Sequence, residues 1–184
     1  MLRALPALGE ATRMLPEAEA KAALAACGLR SPQARLASAG EAPSAAVALG
    51  FPVVVKLAEP VLAHKTEAGA VRLGLGDPAA VAAAVEAIAD SLVRYRPGAL
   101  AERFLVERQV SGVVAELIVG VKRDPQFGLV LVVGAGGILV EMMEDAATLL
   151  LPAGRAEIEA ALGALRVARL LRGYRGKPDR KSVV

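Results

Sequence analysis

Few residues of this 184-residue chain combine a reactive type with telling surroundings, and Lys56 is the first of them. It interrupts the apolar run Pro52-Val53-Val54-Val55-Lys56-Leu57, where an unpaired ammonium is costly to bury. A lysine held there has an anion to meet. A nucleotide phosphate suits it, and so does a carboxylate at the surface with the stem laid along apolar atoms. His64 is the one histidine, in Leu62-Ala63-His64-Lys65-Thr66-Glu67-Ala68-Gly69. Its imidazole can be a nucleophile near neutral pH, and Lys65 and Thr66 can bind phosphoryl oxygens. An idle surface histidine is the plainer alternative. Gly134-Ala135-Gly136-Gly137 offers backbone N–H groups that an anion can approach closely. It is neither the dinucleotide fingerprint nor a P-loop, so a tight strand turn fits it equally well. Glu107, Glu116, Glu141, Glu144 and Asp145 supply carboxylates for ribose hydroxyls or Mg2+, or serve as ordinary surface charge.

The elements that must position these groups alternate between helix and strand patterns. Residues 16–27 have Ala, Leu and acids at helical spacing, with Gly28 placed to end the helix. Ser31-Pro32 opens an extended connection, and 41–49 reads as a short helix closed by Gly50. Residues 52–57 predict a buried strand carrying Lys56, and 59–69 predict a loop carrying His64. In 71–75, Val71, Leu73 and Leu75 alternate with Arg72 and Gly74, which predicts a strand with one solvated face. Residues 78–95 predict a long helix, with Asp77 as N-cap, Pro78 in its first turn and a Val81, Val85, Ile88, Leu92 stripe. Strands are expected at 103–109, 113–121 and 129–133, and one helix at 155–171. Asp124-Pro125-Gln126-Phe127-Gly128 carries the signals of a tight turn.

Composition narrows the classes. At 55% hydrophobic the chain has ample apolar surface to fold, which excludes intrinsic disorder. At 3% aromatic, with no Trp, it lacks platforms for stacking nucleic-acid bases. The one cysteine, Cys27, permits no internal disulfide and reads as a small apolar residue on a helix. No apolar stretch reaches the ~20 residues of a membrane span, and residues 1–15 lack a secretory signal, so a cytoplasmic protein is expected. From Arg166 onward seven basic residues face one acid, so residues 1–165 carry net −3 while the tail carries +6. Polyanion binding by that tail is one reading; a solvated helix face followed by an unpacked end is the other.

The order of these pieces resembles a known family. Pro16-Glu17-Ala18-Glu19-Ala20-Lys21, Gly50-Phe51-Pro52-Val53-Val54-Val55-Lys56, the His64 to Gly69 segment, Glu116-Leu117-Ile118-Val119-Gly120-Val121, Arg123-Asp124-Pro125-Gln126-Phe127-Gly128 and Leu170-Leu171-Arg172-Gly173-Tyr174-Arg175-Gly176 follow one another in sequence. Together they resemble the ATP-grasp domain of the NDP-forming acyl-CoA synthetases, over about residues 16–178. The resemblance implies an α+β ATP-grasp fold of two lobes: an N-terminal extension (1–15), a first lobe (16–106) and a second lobe (107–184). It implies interconversion of an acid, CoA and ATP with acyl-CoA, ADP and phosphate, the acid and CoA being handled through a CoA-binding α subunit. His64 matches the histidine of a mobile phosphoryl-carrying loop, next to Lys65. Lys56 matches the lysine on the nucleotide phosphates, and Glu107 falls in the hinge that meets adenine. Glu116 matches the carboxylate at the ribose, and Gly136 and Gly137 match the loop beside the reacting phosphates. Ala70 and Leu149 depart from the pattern, where glycine and arginine are usual. The family pattern continues through a further helix and strands bearing an acidic-Asn metal motif, and this chain has no Asn. The second lobe is therefore expected to be incomplete, with the principal Mg2+ ligands missing. A non-catalytic nucleotide- or partner-binding remnant, or a regulatory module, is the competing expectation.

Overall fold

A computed structural model of the chain describes residues 14–58, 69–137 and 144–173. The chain divides into two compact units, Met1–Val110 and Ser111–Val184. In the first unit the elements run α1 (Glu17–Ala26), β1 (Ala34–Ala37), α2 (Ala42–Leu49), β2 (Val53–Leu57), β3 (Val71–Leu75), α3 (Pro78–Tyr95) and β4 (Phe104–Arg108). The strands form an antiparallel sheet in the order β1-β4-β2-β3. Alternation along each strand gives this sheet two different faces. Val53, Val55 and Leu57 of β2 and Phe104 and Val106 of β4 point into a core covered by α2 and α3. Val81, Val85, Ile88 and Leu92 enter it from α3, so the expected stripe is the buried one. Burying each such side chain contributes about 1.5–3 kcal/mol.

The local signals hold helix α3 in register. Asp77 Oδ1 accepts the Ala80 N–H at 2.8 Å, satisfying one of the orphan donors of the first turn. Gly50, at φ +81, closes α2. Three readings of this unit need correction. Strand β1 forms where only an extended connection was expected. Leu73 of β3 is 67% exposed rather than inward-facing. Its strand lies at the sheet edge, the β2–β3 register shifts between Val53 and Val55, and Gly74 leaves extended geometry at φ +70. Cys27 is exposed at the C-cap of α1, just past the helix rather than on it.

The second unit is a three-stranded antiparallel meander, β5 (Leu117–Asp124), β6 (Gly128–Ala135) and β7 (Ala146–Leu150), followed by α4 (Arg155–Ala164) and α5 (Ala168–Leu171). The β5–β6 hairpin turns where expected: Asp124 Oδ1 accepts the N–H groups of Gln126 and Phe127 at 2.9 and 3.0 Å. Those two bonds hold the exposed Asp124 carboxyl below its usual range. Strand β7 carries no strong sequence signal and was not expected, and β5 begins at Leu117 rather than at 113. The single helix expected over 155–171 is two helices. The Asp145 carboxylate takes the N–H groups of Arg166 and Val167, both at 2.8 Å, which a continuous helix would direct to its own carbonyls. Leu165, Val167 and Ala168 thereby turn in against Ala135. No helix among the described residues is long and apolar enough to cross a membrane.

Candidate functional site

Lys56 sits on β2 between Val55 and Leu57, which are both core residues, so its own side chain leaves the opposite face of the sheet. Glu107 of β4 emerges on the same face, its Cα register partner on β2 being Val54. Helix α1 supplies Glu17 and Lys21, one turn apart on one side. Among the described residues the four form a ring of alternating charge. Lys56 Nζ lies 2.6 Å from Glu17 Oε1 and 3.3 Å from Glu107 Oε1. Lys21 Nζ lies 2.9 Å from Glu17 Oε1 and contacts Glu107 Oε2.

Burial makes this ring consequential. The Glu107 side chain is 9% exposed and that of Lys56 20%, so each ion is largely withdrawn from water and depends on its partners. Burial alone would push the Glu17 carboxyl up. Hydrogen bonds from Lys56 and Lys21, with their charges, more than reverse this and lower it from 4.5 to about 2. For Lys21 burial works downward, and the bonds to Glu107 and Glu17 outweigh it, raising the ammonium above its ordinary 10.5. An ammonium has three donors, and two of those on Lys56 go to carboxylates. The Lys56 ammonium can thus present a donor to an anionic ligand without losing its anchors. Two clefts of about 310 Å3 flank α1, walled by Leu36, Leu105 and Ala18. Glu17 of the ring lines one and Lys21 the other, while Lys56 lines neither.

Sequence reasoning singled out Lys56 and Glu107 but gave Glu17 and Lys21 no role. A signal was available: α1 buries no residue, so its i, i+4 acid–base pair is what it has to dock with. The resemblance gave Lys56 and Glu107 separate tasks at phosphate and adenine, whereas their charged atoms are in contact. His64 and Lys65 lie outside the described residues, as does Glu141.

In the second unit Glu116 and the glycines come together through backbone. The Gly136 N–H donates to the Glu116 carbonyl at 2.7 Å. A Cβ on Gly136 would stand 3.0 Å from Glu116 C and Leu117 N, backbone atoms with little room to move. Gly137 has φ +63, and a Cβ there would meet the Glu116 carboxylate. The cradle therefore needs both glycines, and it leaves the exposed Glu116 carboxylate over Gly137. Gly134, by contrast, is a pairing glycine: its Cβ would stand 2.8 Å from the Asp145 carbonyl across β7. Asp145 is spent on the α4–α5 turn, and Glu144 is an exposed residue at φ +44.

In the first unit the ring offers an ammonium to an anion; in the second, taken by itself, Glu116 offers an exposed carboxylate that can accept from hydroxyl groups. Neither names a metal site: among the described residues no three His, Cys, Asp or Glu side chains converge as metal ligands would.

Residues 6–184 match the family model described as ATP-grasp domain. The chain is 37% identical over 164 residues to the 4-hydroxybutyrate–CoA ligase (ADP-forming) of Nitrosopumilus maritimus, covering 89% of this chain but 23% of that relative. It is 32% identical over 171 residues to the beta subunit of acetate–CoA ligase (ADP-forming) II of Pyrococcus furiosus, covering 92% and 72%. Among solved structures it is similar to acetyl-coenzyme A synthetase 1 of Ca. Korarchaeum cryptofilum in complex with coenzyme A, Ca-AMPCP and HgCl+. That match has TM-score 0.80 and 33% identity, covering 88% of this chain and 71% of the other. Another structure of the same synthetase, with TM-score 0.73, 32% identity and coverages of 88% and 70%, is described as having a phosphorylated phosphohistidine segment. The chain spans about a quarter of the length of the first of these relatives and under three quarters of the beta subunit. By the family model and by its likeness to that beta subunit, the chain belongs to the ATP-grasp domains of the ADP-forming acyl-CoA synthetases.

Proposed function

We propose that this chain is the nucleotide-binding and phosphoryl-accepting part of an acyl-CoA synthetase that converts an acid, CoA and ATP to acyl-CoA, ADP and phosphate. The observation that carries the reading is Lys56: a lysine on a core strand, anchored by carboxylates and still able to present an N–H to an anion. In this reading Lys56 takes a nucleotide phosphate, and Glu107 keeps its ammonium aimed. Glu116 accepts hydrogen bonds from ribose hydroxyls, Gly136 holds that turn through its bond to the Glu116 carbonyl, and the left-handed Gly137 lets phosphate oxygens approach.

His64, with Lys65 beside it, receives the phosphoryl group. A ring nitrogen bonds to phosphorus as the bond to the bridging oxygen of the leaving ADP breaks, and the phosphohistidine then carries the group onward. Charge neutralisation and in-line placement supply most of the catalysis in such a transfer. The acid and CoA are taken by a CoA-binding α subunit, and Mg2+ accompanies the nucleotide. A cytoplasmic setting goes with this chemistry.

The test uses the chain with γ-labelled ATP and Mg2+, with and without a CoA-binding partner subunit. Label is expected to enter the protein in acid-labile form and to be absent from His64→Asn. ATP binding without labelling in the wild type would instead make the chain a non-catalytic nucleotide-binding module. Undiminished labelling in His64→Asn would remove His64 from the reaction.

A further inference from the structure

We infer that Lys21 is a positioning residue for nucleotide phosphate at Lys56, acting through the two carboxylates that it shares with that ammonium; this rests on the nucleotide-binding reading above. The ring contains two ammoniums and two carboxylates and so carries no net charge. Each carboxylate faces both lysines, and neither is committed to Lys56 alone. Without Lys21, Glu17 and Glu107 would both turn their full charge on Lys56. A phosphate approaching it would then meet a net negative cluster.

Lys21 prevents that at a distance. Its ammonium is held by carboxylates on both sides. Because α1 buries no apolar residue, these contacts also set where the helix lies against the sheet. Two roles are thus possible for Lys21, and they make opposite predictions for its neighbour. A mere strut between helix and sheet would be weakened alike by losing Lys21 or Glu17. A charge-balancing residue would not: removing Lys21 makes the cluster net −1, and neutralising Glu17 makes it net +1.

The experiment measures binding of ATP and of adenosine, which lacks the phosphates, by calorimetry on wild type, Lys21→Met, Lys21→Arg and Glu17→Gln. Melting temperatures verify that each variant is folded. Lys21→Met is expected to weaken ATP about tenfold, the scale of one partly screened charge beside a phosphate site. Its adenosine affinity should not change. Lys21→Arg, which keeps the charge, should retain ATP affinity, and Glu17→Gln should bind ATP more tightly than wild type. Parallel weakening of ATP and adenosine in Lys21→Met and Glu17→Gln would make the ring a strut and overturn the inference. So would ATP binding indifferent to Lys21→Met. A folded wild type that binds no ATP would overturn the nucleotide-binding reading and this inference with it.

Discussion

The two units hold their functional side chains by different means. In the first, Lys56 and Glu107 project from a sheet whose other face is packed on a continuous apolar core containing Phe104, Ile88 and Leu57. Their positions are fixed by side-chain charge pairs with α1. In the second, the buried cluster is small, with Ala135, Leu165, Val167 and Ala168 at its centre, and Val119 and Val121 of β5 stay 66% and 59% exposed. There Glu116 is placed by backbone, through the Gly136 N–H and the left-handed Gly137. The difference teaches where each half is vulnerable. The first should respond to core volume and to charge, and the second to any added side-chain atom in its turn.

The largest effect should come from the unequal cores. Phe104 is fully buried, and Phe104→Ala should cost about 4 kcal/mol through lost burial and the cavity left behind. Leu165, 5% exposed in a cluster of small residues with more freedom to collapse, should cost about 2 kcal/mol as Leu165→Ala. Amide hydrogen exchange reads each unit separately, and Phe104→Ala should lower protection in β2 and β4 with little change in β6. Equal losses from the two variants would erase the contrast between the cores.

A smaller effect tests the backbone-built cradle. Gly136→Ala places a methyl 3.0 Å from the backbone of Glu116 and Leu117, which should cost about 2 kcal/mol. It should also displace Glu116 and weaken nucleotide binding. Gly120→Ala is the control, since a Cβ there meets nothing within 4 Å and its backbone is not left-handed. It should stay within about 0.5 kcal/mol of wild type. Gly136→Ala that melts and binds like Gly120→Ala would mean the cradle has slack.

How much of this was legible depended on how local the cause was. Helix α3 could be read to the residue because its N-cap, its proline and its apolar stripe all lie within its own sequence. The Asp124 turn was equally legible, since Asp124 bonds residues two and three further on. Strand β7 was missed because Ala146-Ala147-Thr148-Leu149-Leu150 has no alternation of its own and becomes a strand by pairing with β6. The break at Leu165 was missed because its cause, Asp145, lies 21 residues upstream of the N–H it accepts. At the site, Lys56 stood out as a charge among valines. Glu17 and Lys21 looked like an ordinary solvent-facing pair, because their partners lie 39 and 86 residues away. Long-range charge complementarity leaves no periodic trace in a sequence.

The smallest expected effect tests whether charge indeed distinguishes the first unit. Glu17 has a folded-state pKa of about 2 against an ordinary 4.5. A carboxyl depressed in this way stabilises the fold at pH above 4.5 and loses that contribution as pH falls from 4.5 toward 2. Lys21 is shifted upward, so its contribution is intact below 10.5 and does not shape the acid limb. Because Glu17 is only partly withdrawn from water, screening reduces its effect to about 1 kcal/mol. Between pH 7 and pH 3 the first unit of the wild type should therefore lose about half of that, roughly 0.5 kcal/mol, more than the same unit in Glu17→Gln, measured by hydrogen exchange. The second unit, whose depressed Asp124 carboxyl is exposed at a turn, should show the same acid response in both proteins. A first unit whose acid limb is unchanged by Glu17→Gln would place the titration elsewhere. The two units would then differ in core volume alone.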